Sequence, residues 1–352
     1  MIYRMRAAVL HAPGQISLDT VTDPTLATPR DALVRITASC ICGSDLWPYR
    51  GLAPRRGRIG HEFVGVVEDI GSEVSSVRRG QVVIAPFVYS CGDCVNCRAG
   101  WPTSCVIGGD WGFPDRDGHL ADGGQGEFVR VPLADGTLVP ARVPEGDDSI
   151  PALLALSDVM GTGQHAAVSA GVEPGGSVLI VGDGAVGLCA VLAAARLGAE
   201  RIIVLSTHAD RAAVAETFGA TDIVAARGAE AVAAVRDLTG GVGADRACEC
   251  VGTSTSWETA LRAVRPGGTV GYVGVPNGVQ DALPLREMFD RNVDVRGGVA
   301  PTRRYLPELL DDVLEGELDP SPVFTSTIPL SAVADGYAAM DSRVEIKVML
   351  RP

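Results

Sequence analysis

Four cysteines lie within fifteen residues, Cys91, Cys94, Cys97 and Cys105, spaced C-x2-C-x2-C-x7-C. Two-residue gaps let successive thiolates converge on one point, and the longer gap lets the chain return with the fourth. Four thiolates closing on one ion make a tetrahedral, water-free structural zinc site. An iron–sulfur cluster is the main rival, since the spacing is not far from some cluster runs. The proline that follows the last cysteine in such runs is missing, because Val106 stands there. Unliganded thiols are the remaining alternative. A closed site of this kind stabilises without catalysing, so any chemistry has to lie elsewhere.

The chain has 352 residues, which points to about two domains. Apolar residues make up 46 %, enough for a large core. The formal net charge of −13 argues against nucleic acid, which needs a basic footprint, and supplies no polybasic patch for anionic lipid. The N-terminal segment contains a four-residue apolar run, too short for a signal peptide. The apolar stretch at 185–195 is shorter than a membrane span. Nine cysteines without an export signal suit a reducing cytoplasm and metal ligation. Cys40, Cys189, Cys248 and Cys250 are left over and read as small apolar residues.

Residues 1–150 read as β-rich, with short alternating runs such as ALVRITA and EFVGVVEDI separated by Gly, Pro and Asp clusters. From about 151 the pattern becomes strand, helix, strand, which predicts a parallel, doubly wound sheet. The tail from about 298 holds a helix over YLPELLDDVLEG, then the segment SAVADGYAAM and a closing strand, EIKVML.

Gly182-Asp183-Gly184-Ala185-Val186-Gly187 is a G-x-G-x-x-G that follows an apolar strand and opens an apolar helix. In that context the glycines allow a tight turn, and the helix N-terminus stabilises a pyrophosphate. An ordinary glycine-rich turn is the bland alternative. Asp183 is unhelpful to a pyrophosphate and is expected to point away. The second strand ends at Ser206, where an NAD site wants an acid for the ribose. Ser206, Thr207, His208 and Arg211 instead suit the 2′-phosphate of NADP, since hydroxyls and an arginine can hold a phosphate that a carboxylate repels. Helix capping by Ser206 or Thr207 is the simpler reading, and Asp210 is near enough to reach a ribose. Val275, closing Tyr272-Val273-Gly274-Val275, is placed with the cofactor residues.

Cys42 in the run CGSD, His61 and Glu62 in GHEFVGVV, and Asp158 are further ligand types at separated positions. Their spacing alone is a weak signal, because lone cysteines are usually core and lone His–Glu pairs usually surface. Together with the four-cysteine lobe and the glycine turn, all in one order along nearly the whole chain, these motifs resemble the zinc-containing alcohol dehydrogenases of the medium-chain dehydrogenase/reductase superfamily.

The resemblance implies an α/β protein: a GroES-like β-rich catalytic domain at 1–157 carrying the zinc lobe, a Rossmann domain at 158–297, and a return to the catalytic domain at 298–352. It implies a cleft between the domains with a catalytic zinc at its base, hence two zinc ions per chain. Cys42, His61 and Asp158 resemble its ligands, and Glu62 the neighbouring carboxylate that binds directly or through water. Ser44 resembles the hydroxyl that relays the alcohol proton, and Asp45 a partner that orients His61. Trp47 stands where some members have a relay histidine, and could instead wall the pocket. Phe87 matches a pocket-wall position, and Trp111 and Phe113 are pocket candidates on a long loop. Lys347 resembles the basic residue that meets the cofactor pyrophosphate.

The expected activity is interconversion of a small alcohol and an aldehyde or ketone by hydride transfer to or from NADP, with NAD possible. A polyol or sugar-alcohol dehydrogenase is the nearest alternative. A zinc-free quinone or enone reductase is disfavoured by the complete ligand set. A non-catalytic dinucleotide sensor is disfavoured by Ser44 and an open metal position. Relatives assemble through the Rossmann sheet edge, so a homodimer or homotetramer is expected, with Tyr272–Val275 as the candidate strand.

Overall fold

A computed structural model describes residues 4–276 and 283–352. The chain divides into two compact units, residues Met1–Asp158 with Pro301–Pro352, and residues Val159–Ala300. Asp158, expected to open the second domain, therefore belongs to the first unit.

The first unit is built on a seven-stranded sheet. Strand Ala32–Cys40 alternates buried Ala32, Val34, Ile36 and Ala38 with half-buried neighbours, as its period of two predicts. Its antiparallel partner Phe63–Ile70 is buried continuously from Phe63 to Val67, as a central strand covered on both faces must be. Gly65 is required there, because a Cβ would come 2.3 Å from the Arg35 carbonyl oxygen. Phe63, Val67, Val83, Val129 and Trp111 share the core beneath this sheet.

The register of this pair positions the chemistry. Ser39 pairs with Phe63, so the chain leaving toward Cys42 and the chain arriving through His61 and Glu62 meet at the same end of the sheet. The returning tail adds strand Val348–Arg351 beside Ala32–Cys40, with Met349 opposite Cys40. Lys347, one residue before that strand, is thereby delivered to the same end.

The second unit is a six-stranded, all-parallel sheet. Its order is Asp222–Val224, Arg201–Leu205, Ser177–Val181, Ala244–Glu249, Val264–Tyr272, Asp294–Gly297. Buried runs such as Val178–Val181 and Ile202–Val204 suit strands covered on both faces. The order reverses beside Ser177–Val181, the switch point where nucleotides bind in such sheets. The strand ending at Tyr272 is paired on both sides, to Glu249 and Gly297. It is not a free edge; among the described residues that position belongs to Asp294–Gly297, since the chain beyond the nucleotide-binding strands adds one more parallel strand. Among the described residues, no helix is long and apolar enough to cross a membrane.

Candidate metal centres and cofactor site

The four cysteines of the lobe bring their sulfurs within 4.8 Å of one another. Cys91 lies 3.5 Å from Cys105 and 4.0 Å from Cys97, and Cys94 lies 3.9 Å from Cys105. Thiolates around one zinc at ~2.3 Å stand about 3.8 Å apart, so the donor set fits a single tetrahedral ion. Iron–sulfur clusters spread their cysteines wider. Backbone N–H groups point at the sulfurs: Cys94 donates to Cys91 Sγ at 3.2 Å and Cys91 to Cys105 Sγ at 3.2 Å. Backbone donors from Val106 and Cys97 lower the Cys94 thiol to about 6, while burial pushes Cys97 up to about 12.

A second donor cluster forms at the sheet end, where Cys42, His61, Glu62 and Asp158 place one ligand atom each within 4.8 Å of the others. Asp158 Oδ2 is 3.7 Å from Cys42 Sγ and 3.6 Å from His61 Nε2. This mixed S, N, O set is one zinc accepts. His61 turns its other nitrogen toward Asp45, with Nδ1 3.4 Å from Oδ1, leaving Nε2 for the metal side. Burial works to lower the His61 pKa, but the charges of Asp45 and Cys42 overcome it and raise it well above the usual value. Asp45, 1 % exposed, accepts from the Cys42 backbone N–H at 3.1 Å and from Gln125 Nε2 at 3.1 Å. Gln125 in turn accepts from Tyr337 Oη at 3.0 Å. This chain of buried partners fixes the imidazole.

Glu62 is fully buried, with Oε1 2.7 Å from Lys347 Nζ and Oε2 accepting from Cys40 Sγ at 3.2 Å. Lys347, 1 % exposed, also donates to the Ile41 carbonyl at 3.3 Å. It differs from the expectation of a cation presented to a pyrophosphate, because the strand register draws it inward onto Glu62. Burial opposes its charge, but Cys40 and Glu62 raise its pKa well above the usual value. Cys40 likewise serves this group rather than plain apolar packing.

Beside the donors is a pocket of about 200 Å³ lined by Ser44, Arg55, His61, Phe87, Asp110, Trp111 and Phe113. Trp111 is also core: it is 1 % exposed, meets Phe63 and Tyr89 edge-on, and donates to the Pro86 carbonyl at 2.9 Å. Trp47, half-buried on the helical turn Leu46–Tyr49, is not among the lining residues. Arg55 escaped the sequence reading; its guanidinium donates to the Trp111 carbonyl at 2.8 Å and lies 5.2 Å over the Phe113 ring. No motif marks it, since the loop that delivers it lacks a periodic pattern.

In the second unit, Gly182 has φ +121°, and a Cβ on Gly187 would lie 1.9 Å from the Gly182 carbonyl oxygen. A Cβ on Gly184 would meet nothing within 4 Å, so the second glycine leaves open space before the helix Ala185–Arg196, as a cradle for a pyrophosphate does. Val275, 51 % exposed, follows the Val264–Tyr272 strand.

Asp183 turns its side chain onto the end of the second strand. Its Oδ2 accepts from Ser206 Oγ at 2.8 Å and lies 3.0 Å from His208 Nδ1. Its Oδ1 is 3.6 Å from Arg211 Nη1. Burial raises the Asp183 pKa, yet the Ser206 and His208 hydrogen bonds and the Arg211 charge prevail and hold it below the usual carboxylate value. Arg211 is buried and its Nε has no hydrogen-bond partner. Arg227, which the sequence reading missed, donates to Thr207 Oγ1 at 3.2 Å. Two arginines, a histidine and two hydroxyls therefore gather at this strand end. A spare buried donor among them fits an additional oxyanion.

Residues 28–142 match the alcohol dehydrogenase GroES-like domain, and residues 185–315 the zinc-binding dehydrogenase family. The chain is 37 % identical to a probable zinc-binding alcohol dehydrogenase of Mycobacterium tuberculosis, covering 99 % of this chain and 89 % of that protein. The alcohol dehydrogenase TADH of Thermus sp. ATN1 superposes with a TM-score of 0.91 at 33 % identity, covering 99 % of both chains. A putative zinc-binding dehydrogenase of Sinorhizobium meliloti 1021, bound to NADP, gives 0.83 at 27 % identity over 99 % of this chain and 100 % of that one. The fold and donor sets define a two-domain zinc-type oxidoreductase. The chain belongs to the zinc-binding alcohol dehydrogenase family of medium-chain dehydrogenases.

Proposed function

We propose that this protein interconverts an alcohol and an aldehyde or ketone, with two zinc ions per chain and NADP as the preferred cofactor. The observation that carries the reading is the convergence of Cys42, His61, Glu62 and Asp158 beside a pocket that also contains Ser44. A zinc ion held there supplies Lewis acidity that lowers the pKa of an alcohol or polarises a carbonyl. The nicotinamide supplies the hydride acceptor or donor.

The remaining work falls to the chain. Ser44 Oγ takes the proton of the substrate hydroxyl and passes it outward. With Trp47 in place of a relay histidine, water completes that route. Asp45 holds His61 in the orientation that leaves Nε2 for the metal. Lys347 holds Glu62 within reach of the donor set. Phe87 and Phe113 give the pocket an apolar wall for the substrate's carbon skeleton. The four cysteines of the lobe take the second zinc, which stabilises its loops. Ser206, Thr207, His208, Arg211 and Arg227 take the 2′-phosphate of NADP, while the glycine turn takes the pyrophosphate.

Arg55 and Asp110 favour a second reading, a polyol or sugar-alcohol substrate, since charged groups in the lining suit a molecule with several hydroxyls. The protein works as a homodimer or homotetramer through the Asp294–Gly297 edge, beyond which Val299 is exposed. A reducing cytoplasm keeps its thiols available. The test is metal analysis together with turnover of simple alcohols, polyols and aldehydes with both cofactors. Two zinc ions and NADP-linked turnover are expected; nucleotide binding without turnover of any alcohol or carbonyl would sink the reading.

A further inference from the structure

Asp183 is the one residue of the glycine turn whose side chain the cofactor reading leaves without a purpose. A carboxylate beside a phosphate-binding cluster works against that cluster, yet this one is drawn into its centre. Ser206, 4 % exposed, donates to it at 2.8 Å, His208 Nδ1 is 3.0 Å from the same oxygen, and Arg211 Nη1 is 3.6 Å from the other. Arg211 Nη1 also donates to the Asp183 backbone carbonyl at 3.3 Å. The donors suited to an adenosine 2′-phosphate thus already converge on an anion of the chain's own. Arg211 Nε, buried and without a partner, and Arg227 on Thr207 are the parts of the cluster that Asp183 does not engage.

We infer that Asp183 is a specificity-determining residue, an internal anion that competes with the 2′-phosphate of NADP for Ser206, His208 and Arg211 and so narrows the margin between NADP and NAD. This rests on the reading that the strand end takes the 2′-phosphate. Two anions sharing one set of donors repel, so NADP has to displace the carboxylate or share its donors with it. NAD brings only a hydroxyl and leaves the network in place. The strand-end acid that an NAD enzyme carries is absent at Ser206; a carboxylate reaches the same neighbourhood from the turn instead, 23 residues earlier.

The test measures binding without turnover. Wild type, Asp183→Asn and Asp183→Ser are titrated calorimetrically with 2′-AMP, 5′-AMP, NADP and NAD. Asn keeps the shape and removes the charge, and Ser is a second, smaller replacement should Asn disturb the turn. Both variants are expected to bind 2′-AMP and NADP about tenfold tighter or more, the worth of one charge-assisted hydrogen bond returned to the phosphate. Binding of 5′-AMP and NAD should change little. Glu216→Gln, which removes an exposed charge on the helix Ala209–Thr217 that carries Arg211, should leave 2′-AMP binding near wild type; an equal gain there would reduce the effect to bulk charge and overturn the inference. Unchanged or weaker 2′-AMP binding in both Asp183 variants overturns it as well, since the carboxylate would then organise its donors instead of competing for them. Loss of NAD binding without a gain for 2′-AMP makes Asp183 a ribose acceptor and also overturns it. The NADP preference itself is read from wild type alone: if wild type binds NAD more tightly, that reading fails, and a gain in the Asp183 variants would still uphold the competition.

Discussion

Lys347 Nζ lies 2.7 Å from Glu62 Oε1, and both side chains are shut off from solvent. The pair joins the last strand of the chain to the loop that carries His61. An ion pair removed from water loses hydration on both sides, so its two members depend on each other. Lys347→Met should leave the Glu62 charge buried without compensation and cost about 3–5 kcal/mol. The double variant Lys347→Met/Glu62→Gln should recover much of that loss. Denaturant melts of the zinc-loaded protein decide it; a single variant as stable as wild type would mean that Glu62 turns to the metal for its partner.

Asp45 holds His61 from behind, at 3.4 Å from Nδ1. Residues that orient a metal-ligating histidine are worth about 10–100-fold in metal affinity. Asp45→Asn should weaken zinc binding at the Cys42–His61 cluster by that factor, measured by chelator competition, while metal at the cysteine lobe is unaffected. Equal weakening of both ions would point to general unfolding.

Much of this site is legible in the sequence, and the parts that are not share a physical cause. The cysteine lobe is a local motif, so spacing reveals it. The glycine turn is local too, and its strand and helix are marked by apolar runs. Cys42 and His61 are nineteen positions apart, and only the pairing of Ser39 with Phe63 brings them together. Lys347 was misjudged because its role depends on a strand from the far end of the chain entering the sheet beside Cys40. The partners of Asp183, and Arg227 altogether, are hidden from the sequence for a similar reason: side-chain direction at the end of a parallel sheet follows from which strands are neighbours. Arg55 sits on an irregular loop, where no periodicity constrains direction.

Cys91 accepts N–H groups from Cys94 at 3.2 Å and Asp93 at 3.4 Å, so its sulfur is the hub of the lobe. Cys91→Ser should remove one zinc per chain and lower the melting temperature, because binding at a structural site is coupled to folding. Alcohol turnover below the new transition should change far less than stability. Iron with visible absorbance in the wild-type protein would return the lobe to the cluster reading.

Asp245 receives the Ser177 backbone N–H at 2.8 Å, the Ser177 hydroxyl at 2.7 Å and Arg265 Nε at 2.7 Å. Burial raises its pKa, but these bonds outweigh it and bring the carboxyl to about 2. A depressed folded-state value stabilises above the unfolded value of 3.8 and loses that contribution as pH falls toward about 2. Since the group is partly exposed, its worth at neutral pH is only about 1–2 kcal/mol. Asp245→Asn should therefore lower stability at pH 7, with the gap closing below pH 3.8. A gap independent of pH would show that the side chain acts through shape alone.

Ser44 follows Cys42 by two positions and lines the pocket with His61, the arrangement a proton acceptor for the substrate hydroxyl needs. Its value as a proton relay should be about 10²–10⁴ in turnover, the usual worth of positioned acid–base help. Ser44→Ala should lose that factor in kcat while binding nicotinamide cofactor and metal as wild type does. Ser44→Thr should retain activity, since the hydroxyl persists. The pair of variants separates the hydroxyl from the space it fills: loss in both would indicate a packing role. An alanine variant with full activity would mean that the proton leaves directly to water or through Glu62, and Ser44 would then be removed from the mechanism.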